Sequence, residues 1–145
     1  MDQFMRAAYE EALKGLNEGG IPIGAVLVHK EKIIGRGHNQ RIQKGSPILH
    51  GEMDAYNNAG RLPASIYREC VLYTTLSPCI MCTGATLLFK IPKVVIGDEI
   101  NFVGASGMLR AKGVDVQVTN EPELVKMMRT FIAEKPTVWD EDIAL

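Results

Sequence analysis

Cysteine is scarce in this 145-residue chain and comes in an odd number, as Cys70, Cys79 and Cys82. An odd count argues against a disulfide framework and for a reducing compartment. An excess of one charge is lacking too. Sixteen basic residues against 17 acidic ones leave a formal net charge of −1. That sets up no field for gathering nucleic acid. No run approaches the roughly 20 apolar residues of a membrane span. The opening Met1-Asp2-Gln3-Phe4-Met5-Arg6 places acidic and polar residues where a signal peptide needs an apolar run. Together these absences predict a soluble, cytoplasmic protein. What is present is an ordinary globular composition, 46% apolar and 23% charged. The length suits one domain with its own core, and no repeat, linker or low-complexity segment divides it.

Phe4, Ala8, Ala12 and Leu16 recur at helical spacing, and Gly19-Gly20 supplies a stop. Residues 24–28 and 32–36 read as a hairpin, and 37–49 as a polar loop. A helix is predicted from near His50 to Ala59, closed by Gly60. Val71 to Thr75 is β-branched and aromatic, a third strand. Ser77-Pro78 predicts a helix start, with serine as the cap and proline in the first turn, running to Phe89. Strands at 94–96 and 114–118, a helix at 122–133 and a possible helical turn from Trp139 complete the pattern. Strands alternating with helices predict a three-layer α/β/α domain over residues 1–145, around a mixed sheet of five strands.

The chemistry lies in His50-Gly51-Glu52 and, downstream, Pro78-Cys79-Ile80-Met81-Cys82. Cys79 and Cys82 stand at i and i+3 and project together from a helix start. The positive end of the helix favours their thiolates. Two thiolates and neutral His50 make a three-ligand zinc set, and catalytic zinc sites leave the fourth position to water. His50 and Glu52, at i and i+2, converge only in a first turn. There Glu52 is placed as the general base. A bare C-x-x-C reads equally as a redox pair or half of a structural zinc site; His-x-Glu upstream and Ser77-Pro78 before the pair make the combination specific. H-x-E followed by P-C-x-x-C is the established signature of zinc-dependent nucleobase deaminases, so the identification is one of pattern.

On these residues the chain resembles the cytidine deaminase superfamily, and within it the fungal-type cytosine deaminases that act on the free base. The likeness extends through Gly19 to Gly24, Gly35-Arg36-Gly37-His38-Asn39, Gln43-Lys44-Gly45, Leu72 to Cys79, Met81 to Ala85, Asn101-Phe102 and the ending Trp139 with Glu141-Asp142-Ile143. The resemblance implies a cytidine deaminase-like fold, a homodimer and one Zn²⁺ per chain on His50, Cys79 and Cys82. It implies that Glu52 shuttles protons between the attacking water and cytosine. Asn39 and the Gly51 backbone would hold the carbonyl side of the base. Asp142 and the Ser77 carbonyl would accept from the amino group. Phe102, Trp139 and Ile23 would wall the ring, under a lid at about 137–145. The chain departs from the fungal pattern at Ile80, at Met53-Asp54-Ala55 and at Asp140, none of which removes a catalytic group.

Without the resemblance, Asn39 reads as a turn residue and Asp142 as part of a solvated acidic tail. Phe102 and Trp139 read equally as core aromatics. His29 and His38 read as structural or exposed, Cys70 as a small buried residue, and Lys30, Lys32, Arg36, Arg41 and Lys44 as a solvated basic run. Other small amino-heterocycles, such as guanine or creatinine, fit the same chemistry. A tRNA adenosine substrate fits less well, because it calls for clustered basic charge and the chain ends in Asp140, Glu141 and Asp142. A non-catalytic zinc domain would need neither Glu52 nor an open position. Tight inhibition by a hydrated-pyrimidine mimic of the transition state separates it from an enzyme.

Overall fold

The computed structural model describes residues 1–145. Helix α1 (Gln3–Asn17) starts where Asp2 caps it, its carboxylate accepting from Phe4 N–H at 2.7 Å. It ends in Gly19 at φ +87°, with Gly20 N–H bonded back to Gly15. Strands β1 (Gly24–His29) and β2 (Lys32–His38) form the hairpin, and β2 runs two residues past the predicted end. The segment read as a loop contains a short helix, α2 (Arg41–Lys44). Then come α3 (Gly51–Ala59), α4 (Ala64–Tyr67), β3 (Cys70–Thr74), α5 (Ile80–Leu88), β4 (Lys93–Ile96), α6 (Ser106–Ala111), β5 (Asp115–Val118), α7 (Pro122–Glu134) and α8 (Pro136–Asp142). The short helices α2, α4 and α6 were not expected from periodicity, since four to six residues span too few turns to show it.

The sheet is mixed, as expected, in the order β2-β1-β3-β4-β5. β1 is antiparallel to both β2 and β3, whereas β4 runs parallel to β3 and β5. Alternation along the strands divides the core in two. Ala25, Leu27, Leu72, Val94 and Ile96 pack with Ala55 and Tyr56 of α3 on one face. Val26, Val28 and Val95 pack with Phe4, Met5 and Ala8 of α1 and Leu124 of α7 on the other. Close approach needs glycine at three strand positions, Gly24, Gly35 and Gly37. A Cβ on Gly24 would strike the α1 backbone at Ala8 and Ala12, and one on Gly37 the α3 backbone at Asp54 and Ala55. No helix is long and apolar enough to cross a membrane.

This topology gathers the loops that matter. The C-terminal ends of β3 and β4 point the same way, and ligands of open α/β sheets bind beyond such ends. The start of β1 and the end of β2 lie beside them, since Gly24 pairs with His38 and its carbonyl accepts from Thr75 N–H. Ile23, Asn39, Ser77, Cys79 and Phe102 therefore meet at one end of the sheet. A third apolar cluster closes that end: Ile21, Ile23, Leu76, Met128, Phe131 and Trp139.

Candidate metal centre

His50 is the N-cap of α3 and Cys79 the N-cap of α5, each with extended backbone. Ser77-Pro78 does not start the helix as expected. The Ser77 hydroxyl is engaged elsewhere, donating to Glu99 at 2.9 Å and accepting from Gly104 N–H at 3.0 Å, so the helix begins two residues later. That shift leaves Cys79 on the cap and Cys82 in the first turn. Both helices thus point their positive ends at one spot, which stabilises anionic groups there.

The donor atoms of His50, Cys79 and Cys82 all lie within 4.8 Å of one another. His50 Nδ1 is 3.4 Å from Cys79 Sγ. Tetrahedral zinc with Zn–S near 2.3 Å and Zn–N near 2.0 Å sets its ligands roughly 3.5–3.8 Å apart. The set therefore fits such an ion in chemistry and in spacing. The other imidazole nitrogen, Nε2, lies 3.3 Å from Asp142 Oδ1, the carboxylate–histidine arrangement that fixes ring orientation in metal sites. Without a cation the protons distribute unevenly. Burial pulls His50 down, but its bonds to Asp142 and then Cys79 outweigh that and raise it to about 10. The neighbouring Cys82 thiol, against burial, and then His50 lower Cys79 to about 4. The same contact, joined by burial, drives Cys82 well above the ordinary thiol range. A bound divalent cation displaces protons from such a set.

Glu52, in the first turn of α3, is buried, and burial raises its carboxyl to about 7 against the opposing pull of His50. It borders a small cavity of about 20 Å³, room for about one water, together with Ile23, His50, Leu76, Ser77, Cys79, Phe102, Trp139, Asp142 and Ile143. Trp139 meets Phe102 edge-to-face at 5.6 Å. Of the residues anticipated from the sequence, Asn39 and Gly51 do not line the cavity. Both are buried behind it, with Gly51 against the Ile23 carbonyl. Asn39 Oδ1 accepts from Arg41 N–H at 2.9 Å, and its amide nitrogen donates to both Asp142 oxygens at 3.2 Å. Only a donor faces Oδ1, so the amide orientation follows from its neighbours.

The ending is a helix, α8, rather than a turn, and Asp142 is buried within it rather than solvated. Arg41 is likewise not part of a solvated run; it pairs with Glu141 at 3.0 Å and reaches Asp142 at 3.9 Å. Nothing local could reveal this, because the partners are separated by 100 positions and meet only through the fold. His38 is structural, held between Glu11 at 3.0 Å and Glu18 at 2.8 Å. Cys70 is buried in the core.

A sequence model described as the cytidine and deoxycytidylate deaminase zinc-binding region matches residues 1–98. The cytosine deaminase of Candida albicans is 50% identical over 140 residues, covering 96% of this chain and 93% of that protein. A tRNA-specific adenosine deaminase of Streptococcus pyogenes is 44% identical over 108 residues, 73% of this chain and 67% of that protein. The solved guanine deaminase of Bacillus subtilis superposes with a TM-score of 0.59 at 30% identity, covering 79% of this chain and 73% of that one.

Proposed function

Because the chain belongs to the cytidine and deoxycytidylate deaminase zinc-binding family, we propose that it hydrolyses free cytosine to uracil and ammonia. The observation that carries the substrate is the lidded cavity. Its mouth is covered by Trp139, Asp142 and Ile143, in the C-terminal part of a likeness to cytosine deaminase that covers 96% of the chain. The exposed Asp140 and Glu141 beside this cavity repel a phosphate backbone, which favours a free base over a nucleic acid.

His50, Cys79 and Cys82 hold one zinc ion, which when bound lowers the pKa of a coordinated water towards neutrality. Glu52 carries the protons. It takes one from the attacking water and delivers it to N3 of the ring; it then takes the proton of the hydroxyl now on C4 and hands it to the amino nitrogen there. The C–N bond breaks, ammonia leaves and the carbonyl of uracil forms. One carboxylate serves as base and then acid because it stands beside every atom that changes protonation. Asn39 and the Gly51 N–H orient the carbonyl side of the base. Asp142 and the Ser77 carbonyl receive the amino group. Asn39 and Asp142 satisfy each other while the cavity holds no base, which avoids leaving two buried polar groups unpaired. Ile23, Phe102 and Trp139 flank the ring.

The protein works in the cytoplasm as a homodimer. Helix α5 supports the latter: it is predominantly apolar, yet Ile80 and Leu88 are 63% and 74% exposed, and the exposed Val103 lines a surface groove with Ile80. Leu88→Glu should then yield monomer in sedimentation at micromolar concentration; a dimer unchanged by it would place the interface elsewhere. The substrate is tested by ammonia release from zinc-loaded protein given cytosine, with Glu52→Ala as control. Turnover that vanishes in the variant supports reaction, substrate and base together. No turnover with one zinc per chain discards cytosine, and guanine, creatinine and tRNA follow in that order.

A further inference from the structure

Helix α8 covers the cavity, yet little polar structure holds it there. Its backbone hydrogen bonds run within itself or back to the end of α7, from Trp139 to Lys135 and from Lys135 to Phe131. Lys135 alone, at φ −134° and ψ 60°, joins the two helices, serving as the C-cap of one and the N-cap of the other. Every side-chain hydrogen bond or ion pair from α8 to the body goes to Asn39, Arg41 or His50. Two of these three belong to the same short segment.

Arg41 is the junction. Its backbone N–H holds Asn39 Oδ1 at 2.9 Å, which presents the Asn39 amide nitrogen to Asp142. Its guanidinium holds Glu141 through Nε at 3.0 Å and lies 3.9 Å from Asp142 through a terminal nitrogen. The Arg41 side chain is 18% exposed and Asp142 only 2%. Arg41 is the one permanently charged cation within 4.0 Å of that buried carboxylate. A fully solvated pair would be worth little. This one straddles the boundary, with Glu141 at the rim and Asp142 inside.

Resting on the cytosine deaminase reading above, we propose that Arg41 is a positioning residue that latches α8 over the base and orients Asn39 with the same residue. Base recognition and lid closure are then one coupled event. A base enters only when α8 is open, and the Arg41 backbone keeps Asn39 in register while it is. Closure brings Asp142 and Glu141 back to the guanidinium. Weakening the latch lowers the closed fraction, and apparent affinity falls in proportion. The chemical step, which belongs to Glu52, is left alone, so KM rises while kcat holds or rises.

The chain contains one tryptophan, Trp139, and it sits on α8 with 6% of its surface exposed. Its fluorescence therefore reports lid opening without reference to activity. The experiment uses zinc-loaded wild type, Arg41→Gln, Arg41→Lys, Glu141→Gln and the double variant Arg41→Gln/Glu141→Gln. Acrylamide quenching of Trp139 and the KM and kcat for cytosine are read on each, at low and high salt. Arg41→Gln should raise both quenching and KM about three- to tenfold. Glu141→Gln should raise KM roughly 1.5- to fivefold, the range of rim ion pairs. In the Arg41→Gln background Glu141→Gln should add little, and Arg41→Lys should recover most of the closure. Salt should raise the wild-type KM but not that of Arg41→Gln.

Wild-type quenching and KM in Arg41→Gln would overturn the latch. So would a fall in kcat at constant KM, or full additivity of the two substitutions. If Arg41→Gln does not fold, Glu141→Gln on the exposed partner carries the same test. If wild type fails to deaminate cytosine, no variant turns over, and the quenching series still decides whether the latch exists.

Discussion

Replacing Thr86 by valine should destabilise the protein more than replacing Tyr56 by phenylalanine, although both remove the same hydrogen bond. Tyr56 Oη and Thr86 Oγ1 lie 2.8 Å apart in the core, tying the helix that carries Glu52 to the helix that carries Cys82. Thr86 Oγ1 also lies 2.8 Å from the Cys82 carbonyl, which can only accept. Thr86 is therefore the donor there and the acceptor from Tyr56. Burial raises Tyr56 far above its ordinary value, so the phenol stays protonated and donates at every working pH. Tyr56→Phe leaves Thr86 bonded to Cys82, and the ring keeps its edge-to-face contact with Phe89 at 5.1 Å. The loss is then one net hydrogen bond, about 0.5–1.5 kcal/mol. Thr86→Val keeps the shape but leaves the Tyr56 hydroxyl buried without an acceptor, costing about 1–3 kcal/mol. The double variant removes the stranded donor and should be less destabilised than Thr86→Val alone. Thermal melts at fixed zinc excess check the order, since about 2–4 °C accompanies each kcal/mol at a size near this one. A Tyr56→Phe loss equal to that of Thr86→Val, or simple additivity in the double variant, would refute the donor assignment.

Glu52→Gln should bind one zinc per chain, by metal analysis, while ammonia release falls by at least about 10²-fold, the scale of lost general acid–base catalysis. Removing zinc with a chelator should abolish turnover and lower the melting temperature, because a ligand at about 1,000 times its Kd stabilises by about 4 kcal/mol. Re-addition of zinc should restore both, and stability indifferent to the metal would count against the site. Gly37→Ala drives a Cβ into the α3 backbone and should cost about 1–3 kcal/mol in urea unfolding, as overpacking does. A neutral result would mean that α3 stands further from β2 than described.

How much was legible in the chain follows from the range of each interaction. Strand alternation, the Gly19-Gly20 stop and the Gly60 cap are local, and they place β1, β3, β4, α1 and α3 within a few residues. The gathering of His50, Cys79 and Cys82 was legible as well, because metal binding demands particular residue types at particular spacings around two helix starts. The helix at Cys79 was misplaced by two residues because Ser77, a good cap by propensity, is drawn to Glu99 and Gly104 by tertiary contacts. The acidic ending looked solvated because charge alone predicts solvation. Only the fold brings Asn39, Arg41 and His50 to within reach of Asp142, and with them a buried carboxylate becomes affordable.

The sequence by itself pointed to the reaction class, since the donor chemistry and spacing of His50, Glu52, Cys79 and Cys82 match the zinc deaminase pattern before any folding. The tertiary structure alone decided the surroundings of the site: the lining of the cavity, the burial of Asp142 and the pairing of Arg41 with Glu141. Those contacts join positions about 100 residues apart. Such pairs form only after the sheet has brought both segments to one edge, and no local pattern records them.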